Sequence, residues 1–226
     1  MDRDAQKRAA AARAVAEVKP GMVLGLGSGS TAEIAVELLA ARVADGLKIA
    51  GIPTSERTRA LAERLGVPLT GFDAHAAIDL AIDGADQVER GTLNLIKGLG
   101  GALMREKIVA TAAARLIIVV DQAKLVPRLG GQTALPVEIA AFGWRSTVGR
   151  LEAAGYQPTL RQRDGAPFVT DGGNHIADCA IAAIADAAGL ATELRAIVGV
   201  IETGLFVGMA AKVIVGGPNG VEELER

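Results

Sequence analysis

The chain has 226 residues, of which 50% are hydrophobic and 22% charged, a composition typical of globular proteins. That length is sufficient for one large domain with a smaller companion. A net charge of −2 and 3% aromatic residues argue against a basic or base-stacking surface for nucleic acid, and against electrostatic binding to a membrane. The single cysteine, Cys179, excludes an internal disulfide and a cysteine-rich zinc site.

We expect no signal peptide at the start of this sequence. Residues 1–18 are charged and alanine-rich, without the apolar core of a signal peptide. No run approaches the roughly 18 apolar residues of a membrane-spanning helix. We therefore expect a cytoplasmic protein that does not associate with membranes.

Strands and helices alternate over the first 132 residues, which predicts an α/β fold with a parallel sheet. Short apolar runs predict strands at Met22–Leu26, Lys48–Ile52, Ala77–Ile82 and Leu116–Val120. Apolar residues at helical spacing predict one helix after Gly29 and others at Asp4–Val18, Thr54–Leu65 and Leu103–Ala114.

After about Gln132 the pattern becomes that of a smaller α+β unit. It predicts strands at Leu135–Ile139, Tyr156–Arg161, Phe168–Thr170 and Ile197–Ile201, with helices at Trp144–Ala154 and Leu190–Ala196. His175–Ile184 fits a helix or a strand equally well. Val213–Val215 is predicted to be a last strand that rejoins the first sheet.

A glycine-rich turn, Gly25–Thr31, separates the first strand from the next helix. Such a turn directs backbone N–H groups and the positive end of a helix dipole at one place, which suits a phosphate. The alternative is that Ser30 only caps the helix, in a capping box with Glu33. Because the spacing is G-x-G-x-G and no acid ends the second strand, a small phosphorylated metabolite is favoured over a dinucleotide.

Two carboxylates follow the third strand, on the turn Asp83-Gly84-Ala85-Asp86. Ligands of parallel α/β sheets bind beyond the carboxyl ends of the strands. Two carboxylates there can hold sugar hydroxyls, transfer protons or bind a metal. The alternative is an inert turn stabilised by aspartate side chains.

Three further charged residues are candidates for chemistry. Lys97 precedes a glycine loop and can polarise an oxygen, whereas Glu106 lies about one turn into the next helix and can act as a base if shielded from water. Glu106 is otherwise a solvated helix residue paired with a nearby Lys or Arg. Lys124 follows the fourth strand, where it either holds an anion or is an ordinary loop lysine.

The two histidines show no metal-ligand spacing. His175 with Asp178 and Cys179 is the one conceivable cluster, and we expect a surface or packing role for both His75 and His175 instead. We therefore expect no metal site.

Taken together, these segments resemble the type A ribose-5-phosphate isomerases. The matching text, in the order of that family, is GLGSGSTA at 25–32, GIPTSERTRALAERLGVPL at 51–69, DLAIDGADQVE at 79–89, LIKGLGGALMREKI at 95–108, DQAK at 121–124, LPVEI at 135–139 and FVTDGGNHIADC at 168–179. The resemblance implies a Rossmann-like parallel-sheet domain at 1–133 and 205–226. It implies a second, smaller α+β domain of ferredoxin-like topology at 134–204.

The resemblance also implies a cofactor-free aldose–ketose isomerase of the non-oxidative pentose phosphate pathway. Such an enzyme interconverts D-ribose 5-phosphate and D-ribulose 5-phosphate through a cis-enediolate. By motif, the implied catalytic residues are Glu106 as proton acceptor, Asp83, Asp86 and Lys97. The residues implied to bind substrate are Lys7, Ser28, Gly29, Ser30, Thr31, Gly84, Ala85, Gly98, Leu99, Gly100 and Lys124. Leu99 interrupts what is commonly a run of three glycines, and a leucine resists positive φ.

Two other functions compete with this one. A non-catalytic sugar-phosphate sensor would need an output module, for which we expect no segment. A coenzyme A transferase-like enzyme, with Glu106 as nucleophile, is disfavoured by the short glycine loop and the lack of a second large domain. The expected partners are a pentose phosphate and further copies of the chain, in a homodimer or homotetramer, with no nucleic acid and no membrane.

Overall fold

The computed structural model describes all 226 residues. Its helices are α1 (Arg3–Val15), α2 (Ser30–Ala44), α3 (Glu56–Arg64), α4 (Leu103–Ala112), α5 (Trp144–Ala153), α6 (Ala187–Ala196) and one 3-10 helix (Gln122–Lys124). Its strands are β1 (Val23–Leu26), β2 (Ala50–Pro53), β3 (Leu80–Asp83), β4 (Gln87–Glu89), β5 (Leu95–Ile96), β6 (Leu116–Asp121), β7 (Leu125–Val126), β8 (Leu135–Ile139), β9 (Pro158–Leu160), β10 (Gln162–Arg163), β11 (Ala166–Pro167), β12 (His175–Cys179), β13 (Val200–Thr203), β14 (Leu205–Phe206), β15 (Lys212–Gly217) and β16 (Gly220–Glu225). None of the helices combines the length and hydropathy needed to cross a membrane.

The first compact unit comprises residues 1–85, 105–125 and 208–226. Its six-stranded sheet has the order β16-β15-β6-β3-β1-β2. All neighbouring pairs are parallel except β15 and β16. The pairing of β15 with β6 confirms that the last predicted strand rejoins the first sheet.

The core of this unit lies between its helices and the sheet. β6 is buried along its whole length, as expected of a central parallel strand. Leu24, Leu39 and Ile117 belong to one buried apolar cluster, and each contributes about 1.5 to 3 kcal/mol by leaving water. Helix α1 packs on β6 and β15 so closely that a Cβ on Gly216 would lie 1.9 Å from the carbonyl oxygen of Gln6.

The second compact unit comprises residues 86–104 and 126–207. It contains an antiparallel sheet of order β13-β8-β12-β9, a second four-stranded sheet of order β14-β5-β4-β7, and the small hairpin β10-β11. Its apolar cluster joins β8 and β12 to α5 and α6 through residues such as Val137, Leu151 and Leu194.

Most predicted elements are present, and the differences are local. The ambiguous stretch 175–184 is a strand only over β12, because its first five residues pair with β8. The strand predicted at Phe168–Thr170 is wrong. There the chain leaves β11 and enters a turn in which the Thr170 N–H donates to Asn174 O at 2.8 Å. The short strands β4, β5 and β14 and the glutamate-rich edge strand β16 are not predicted.

Candidate active site

The first glycine loop, at the end of β1, is fixed by Asp83 at the end of the parallel neighbour β3. Asp83 is 3% exposed, and its Oδ1 accepts hydrogen bonds from the N–H groups of Ser28 (3.0 Å) and Gly84 (2.7 Å). The contact is so close that a Cβ on Gly27 would lie 2.2 Å from that oxygen. One carboxylate therefore joins the first glycine loop to the Asp83–Asp86 turn.

A cluster of hydroxyl groups supports the same loop from β2 and α3. Ser28 Oγ is within hydrogen-bond distance of the hydroxyls of Thr54 (2.7 Å), Ser55 (2.8 Å) and Thr58 (3.2 Å). Thr58 also donates to the carbonyl oxygen of Gly27 at 3.0 Å. The Ser28 hydroxyl, predicted to contact a ligand, is thus part of the scaffold that sets the loop's shape.

Helix α2 does not begin with the capping box that was the alternative interpretation of Ser30. Its N-cap is Gly29, with φ of 93°, and no side chain caps the helix, so the capping interpretation of Ser30 is wrong. Ser30 is exposed and lines a cavity of about 480 Å³ together with Lys7 and Arg8. The Lys7 ammonium lies 3.4 Å from the carboxylate of Asp4. Lys7 and Ser30 therefore line one cavity at the start of α2, while Thr31 is buried.

Glu106 lies in the first turn of α4 and is 5% exposed. The alternative of a solvated helix glutamate is therefore wrong. The preceding residue, Arg105, pairs with Glu56 at 2.6 Å, and that hydrogen bond lowers the pKa of Glu56 against a small opposing effect of burial. Glu106 is thus a shielded carboxylate beside an arginine that already has a partner.

Lys124 closes the 3-10 helix that follows β6 and is half-buried. This short helix is capped by Asp121, whose Oδ1 accepts the Ala123 N–H at 3.1 Å and whose Oδ2 accepts a hydrogen bond from Arg3 at the same distance. Lys124 therefore stands at the carboxyl end of a central strand, where the sequence predicted it.

In the second unit, Lys97 follows β5. Its backbone N–H donates to Gly204 O at 2.9 Å, and the residue is only 2% exposed. The ammonium lies 5.5 Å from the ring centroid of Phe206, a cation–π distance. Lys97 is therefore a largely enclosed cation rather than a flexible surface lysine.

The loop after Lys97 needs glycine at two of its positions. Gly98 has φ of 107° and Gly101 has φ of 87°, a region that side chains rarely adopt. A Cβ on Gly101 would also lie 2.5 Å from the ring of Phe168. Leu99 does not have positive φ, so a leucine fits at this position without the strain expected from the sequence.

The backbone of this second loop is bound on two sides. Asp86 Oδ2 accepts the Leu99 N–H at 2.9 Å. Arg161 Nη1 donates to the carbonyl oxygens of Gly98 (2.9 Å) and Leu99 (3.0 Å), while Asp178 holds the same guanidinium. Asp86 was predicted as a site residue. Arg161 and Asp178 were not predicted as site residues, because the alternation of residue types around Arg161 indicates only a strand.

The three residues considered as a metal cluster, His175, Asp178 and Cys179, have other roles. His175 Nδ1 is hydrogen-bonded to Phe168 O at 2.8 Å, and its ring meets Trp144 edge-on with centroids 6.4 Å apart, which confirms a packing role. Asp178 pairs with Arg161. Burial, and to a lesser extent the charge of Asp178, raises the pKa of the Cys179 thiol to about 12, so this thiol is unreactive at neutral pH.

Comparison with known families gives the same interpretation as these motifs. The family model for ribose 5-phosphate isomerase A (phosphoriboisomerase A) matches residues 50–220. The chain belongs to this family. A relative from Gloeobacter violaceus named ribose-5-phosphate isomerase A is 54% identical over 224 residues, which cover 99% of this chain and 97% of the relative.

Solved structures of the family match along the whole chain. Ribose 5-phosphate isomerase A from Methanocaldococcus jannaschii is 40% identical, with a TM-score of 0.93 over 98% of this chain and 99% of that one. A D-ribose-5-phosphate isomerase in complex with phospho-erythronic acid is 38% identical, with a TM-score of 0.96 over 100% of both chains. The family, the fold class and the isomerase function predicted from the sequence are confirmed, and the sensor alternative is not favoured.

Proposed function

We propose that this isomerase converts D-ribose 5-phosphate to D-ribulose 5-phosphate through a cis-enediolate, with Glu106 as the base. The burial of Glu106, in the helix that follows the glycine loop of the family motif along the chain, is the observation that carries this proposal. The relative solved with phospho-erythronic acid supports it, because the carboxylate of that acid has two coplanar oxygens, as an enediolate does.

The chemistry needs one proton moved between neighbouring carbons and a second moved between their oxygens. Glu106 removes the C2 hydrogen of the open-chain aldose as a proton, the electron pair of that bond forms the C1–C2 double bond, and the carbonyl pair moves onto the C1 oxygen. The proton of the C2 hydroxyl then passes to the C1 oxygen. As the C2 oxygen becomes the carbonyl, the pair of the double bond takes the proton back from the Glu106 carboxylic acid at C1, on the same face. A single positioned carboxylate suffices, and such a base contributes about two to four orders of magnitude to the rate.

Negative charge develops on the enediolate oxygens. We assign its stabilisation to the Lys97 ammonium and the N–H groups of Gly98 and Gly100, because preorganised donors in a shielded site act most strongly on charge that appears in the transition state. The enclosure of Lys97 supports this role.

The closed sugar must first open its ring, which requires a proton moved from the anomeric hydroxyl to the ring oxygen. Of the two aspartates, we assign this step to Asp86. Asp83 is buried and its Oδ1 is occupied by two backbone N–H groups, whereas Asp86 is half-buried and uses Oδ2 for Leu99. Gly84 and Ala85 join the two and contact the substrate through their backbone.

We assign the phosphate to the start of α2. Gly29, Ser30 and Thr31 offer N–H groups there, and Lys7 shares a cavity with Ser30. Lys124 supplies a further substrate contact. Binding energy from the non-reacting phosphate then orients the reacting carbons.

Four finer points are proposals. We propose that the protein is cytoplasmic, that it forms a homodimer or homotetramer, and that it needs no metal or other cofactor. The domain boundaries 1–133 with 205–226 and 134–204 are proposed as the functional division of the chain, although the compact units place residues 86–104, 126–133 and 205–207 in the second unit.

The test is a coupled assay for ribulose 5-phosphate with the purified chain and ribose 5-phosphate. We expect turnover that continues in excess EDTA and a very poor rate with unphosphorylated ribose. Comparable specificity constants for ribose and its 5-phosphate would contradict the phosphate assignment. Activity lost in EDTA and restored by a divalent ion would contradict the cofactor-free mechanism.

A further inference from the structure

Arg161 binds the backbone of the second glycine loop from the antiparallel sheet. It follows β9 directly, its side chain is 14% exposed, and its Nη1 donates to the carbonyl oxygens of Gly98 (2.9 Å) and Leu99 (3.0 Å). The other side of the guanidinium is bound by Asp178 on β12, through Nε to Oδ2 at 2.8 Å and through Nη2 to Oδ1. The guanidinium is therefore fixed in orientation by four hydrogen bonds.

Fixing the two carbonyl groups also fixes the N–H groups that follow them. No peptide bond in the chain is cis, and in a planar trans peptide the C=O and the next N–H point in opposite directions. With Gly98 C=O held toward Arg161, the Leu99 N–H points away from it, and it donates to Asp86. By the same rule, Leu99 C=O turns the N–H of Gly100, an exposed residue, away from Arg161.

We propose that Arg161 is a positioning residue of the isomerase, held by Asp178, that directs the Gly100 N–H at the enediolate oxygens. This inference rests on the proposed function, because it assumes that the loop stabilises the charge formed in that reaction. Arg161 acts through the loop and does not touch the substrate. Lysine cannot replace it, since an ammonium lacks the planar fork that binds a carboxylate and two carbonyls at once.

The first test is steady-state kinetics of Arg161→Lys. Because a misplaced donor weakens binding of the transition state more than of the substrate, we expect kcat to fall about 10- to 100-fold with KM within about threefold of wild type. Arg163→Lys is the matched control. Arg163 stacks on the Phe168 ring at 4.6 Å, as Arg161 does at 5.9 Å, but it is exposed and donates no hydrogen bond to the loop.

Arg161→Ala provides a second test that does not depend on whether a lysine side chain can be accommodated at position 161. Added guanidinium ion should restore part of its kcat, and the same ion should not raise the rate of wild type or of Arg163→Lys. Thermal unfolding of each variant is measured in the same buffers. Guanidinium rescue of folded Arg161→Ala supports the positioning role of Arg161. If the activity of Arg161→Ala falls only as much as its folded fraction falls, the positioning role is overturned.

The outcomes separate this inference from the function on which it rests. A wild-type chain that does not isomerise ribose 5-phosphate contradicts the proposed function itself. An active wild type with Arg161→Lys at normal kcat overturns the positioning role alone. A kcat loss of the same size in Arg161→Lys and Arg163→Lys, or a loss confined to KM, also overturns it.

Discussion

The two glycine loops are held by different groups. The loop after β1 is fixed by Asp83, which accepts the Ser28 N–H, and by hydroxyl groups, one of which donates to the Gly27 carbonyl. In the loop after β5, Arg161 binds the Gly98 and Leu99 carbonyls and Asp86 accepts the Leu99 N–H. Because the carbonyl of Leu99 is bound, the Gly100 N–H is directed away from Arg161, so the second loop is the one suited to charge that develops during a reaction. The first loop acts as scaffold and leaves only the start of α2 for an anion.

The largest effect should come from the base itself, because no other residue of the proposed mechanism carries the proton from C2 to C1. Glu106→Gln is nearly isosteric and should fold normally, with kcat about two to four orders of magnitude below wild type in the coupled assay. Glu56→Gln is the control, since Glu56 is an exposed carboxylate that pairs with Arg105, the residue before Glu106. A similar loss in both variants would show a general effect of charge near α4 rather than loss of the base.

The second prediction compares the aspartates that support the two loops. Asp83→Ala leaves the Ser28 and Gly84 N–H groups without their buried acceptor and should lower the free energy of unfolding by about 3 kcal/mol. Asp86→Ala releases one exposed N–H, that of Leu99, and should cost less than about 1 kcal/mol. Urea unfolding of the two variants measures the difference. Equal costs would mean that Asp83 is not the structural member of the pair.

The third prediction concerns the shape of the second loop. Gly101→Ala places a Cβ 2.5 Å from Phe168 at a residue with positive φ, and should destabilise the chain by about 1 to 3 kcal/mol. Gly100→Ala meets no atom within 4 Å and should change stability by less than about 0.5 kcal/mol. Thermal unfolding distinguishes the two. A Gly100→Ala variant that is as unstable as Gly101→Ala would contradict this account of the loop.

The smallest effect is expected away from both loops, where Glu17 is bound by Lys212 at 2.8 Å and Arg115 at 2.9 Å. Burial opposes ionisation of Glu17, but the hydrogen bonds from Lys212 and Arg115 outweigh it and lower its pKa below the usual 4.5. A lowered pKa stabilises the fold above pH 4.5, and this contribution is lost as the pH falls through the folded-state pKa.

Glu17→Gln should therefore reduce stability near neutral pH by about 1 kcal/mol or less and flatten the loss of stability below pH 4.5. Denaturant unfolding between pH 3 and pH 7 measures both effects (roughly the range in which a carboxylate titrates). A variant whose pH dependence matches that of wild type would show that Glu17 does not contribute to acid sensitivity.

The first unit was largely predictable because its signals are local. Each strand of the parallel sheet is a short apolar run, and the carboxyl ends of such strands meet at one edge, so Ser28 and Asp83 could be expected to lie together. The direct hydrogen bond between them confirms this for that pair. The alternative of a capping box at the start of α2 was wrong, because the sequence of the segment Gly29–Glu33 fits a capping box and a glycine N-cap equally well.

The second unit was less predictable because its key contacts are distant in sequence. Arg161 lies 62 residues from Leu99, and no spacing rule connects an arginine after one strand to carbonyls after another. Strands of two or three residues such as β4, β5 and β14 show no period. The hydroxyls of Thr54, Ser55 and Thr58 stood in the matched text, but nothing local to them indicated that they surround Ser28.

The central claim is that Glu106 removes the C2 hydrogen of the substrate, and solvent exchange tests it without relying on turnover. Ribose 5-phosphate is incubated with enzyme in deuterated water, and loss of the C2 proton signal is followed by NMR. The account predicts exchange with wild type, and for folded Glu106→Gln a decrease in exchange as large as the decrease in kcat. Exchange near the wild-type rate in folded Glu106→Gln would contradict the account and assign the base to another carboxylate.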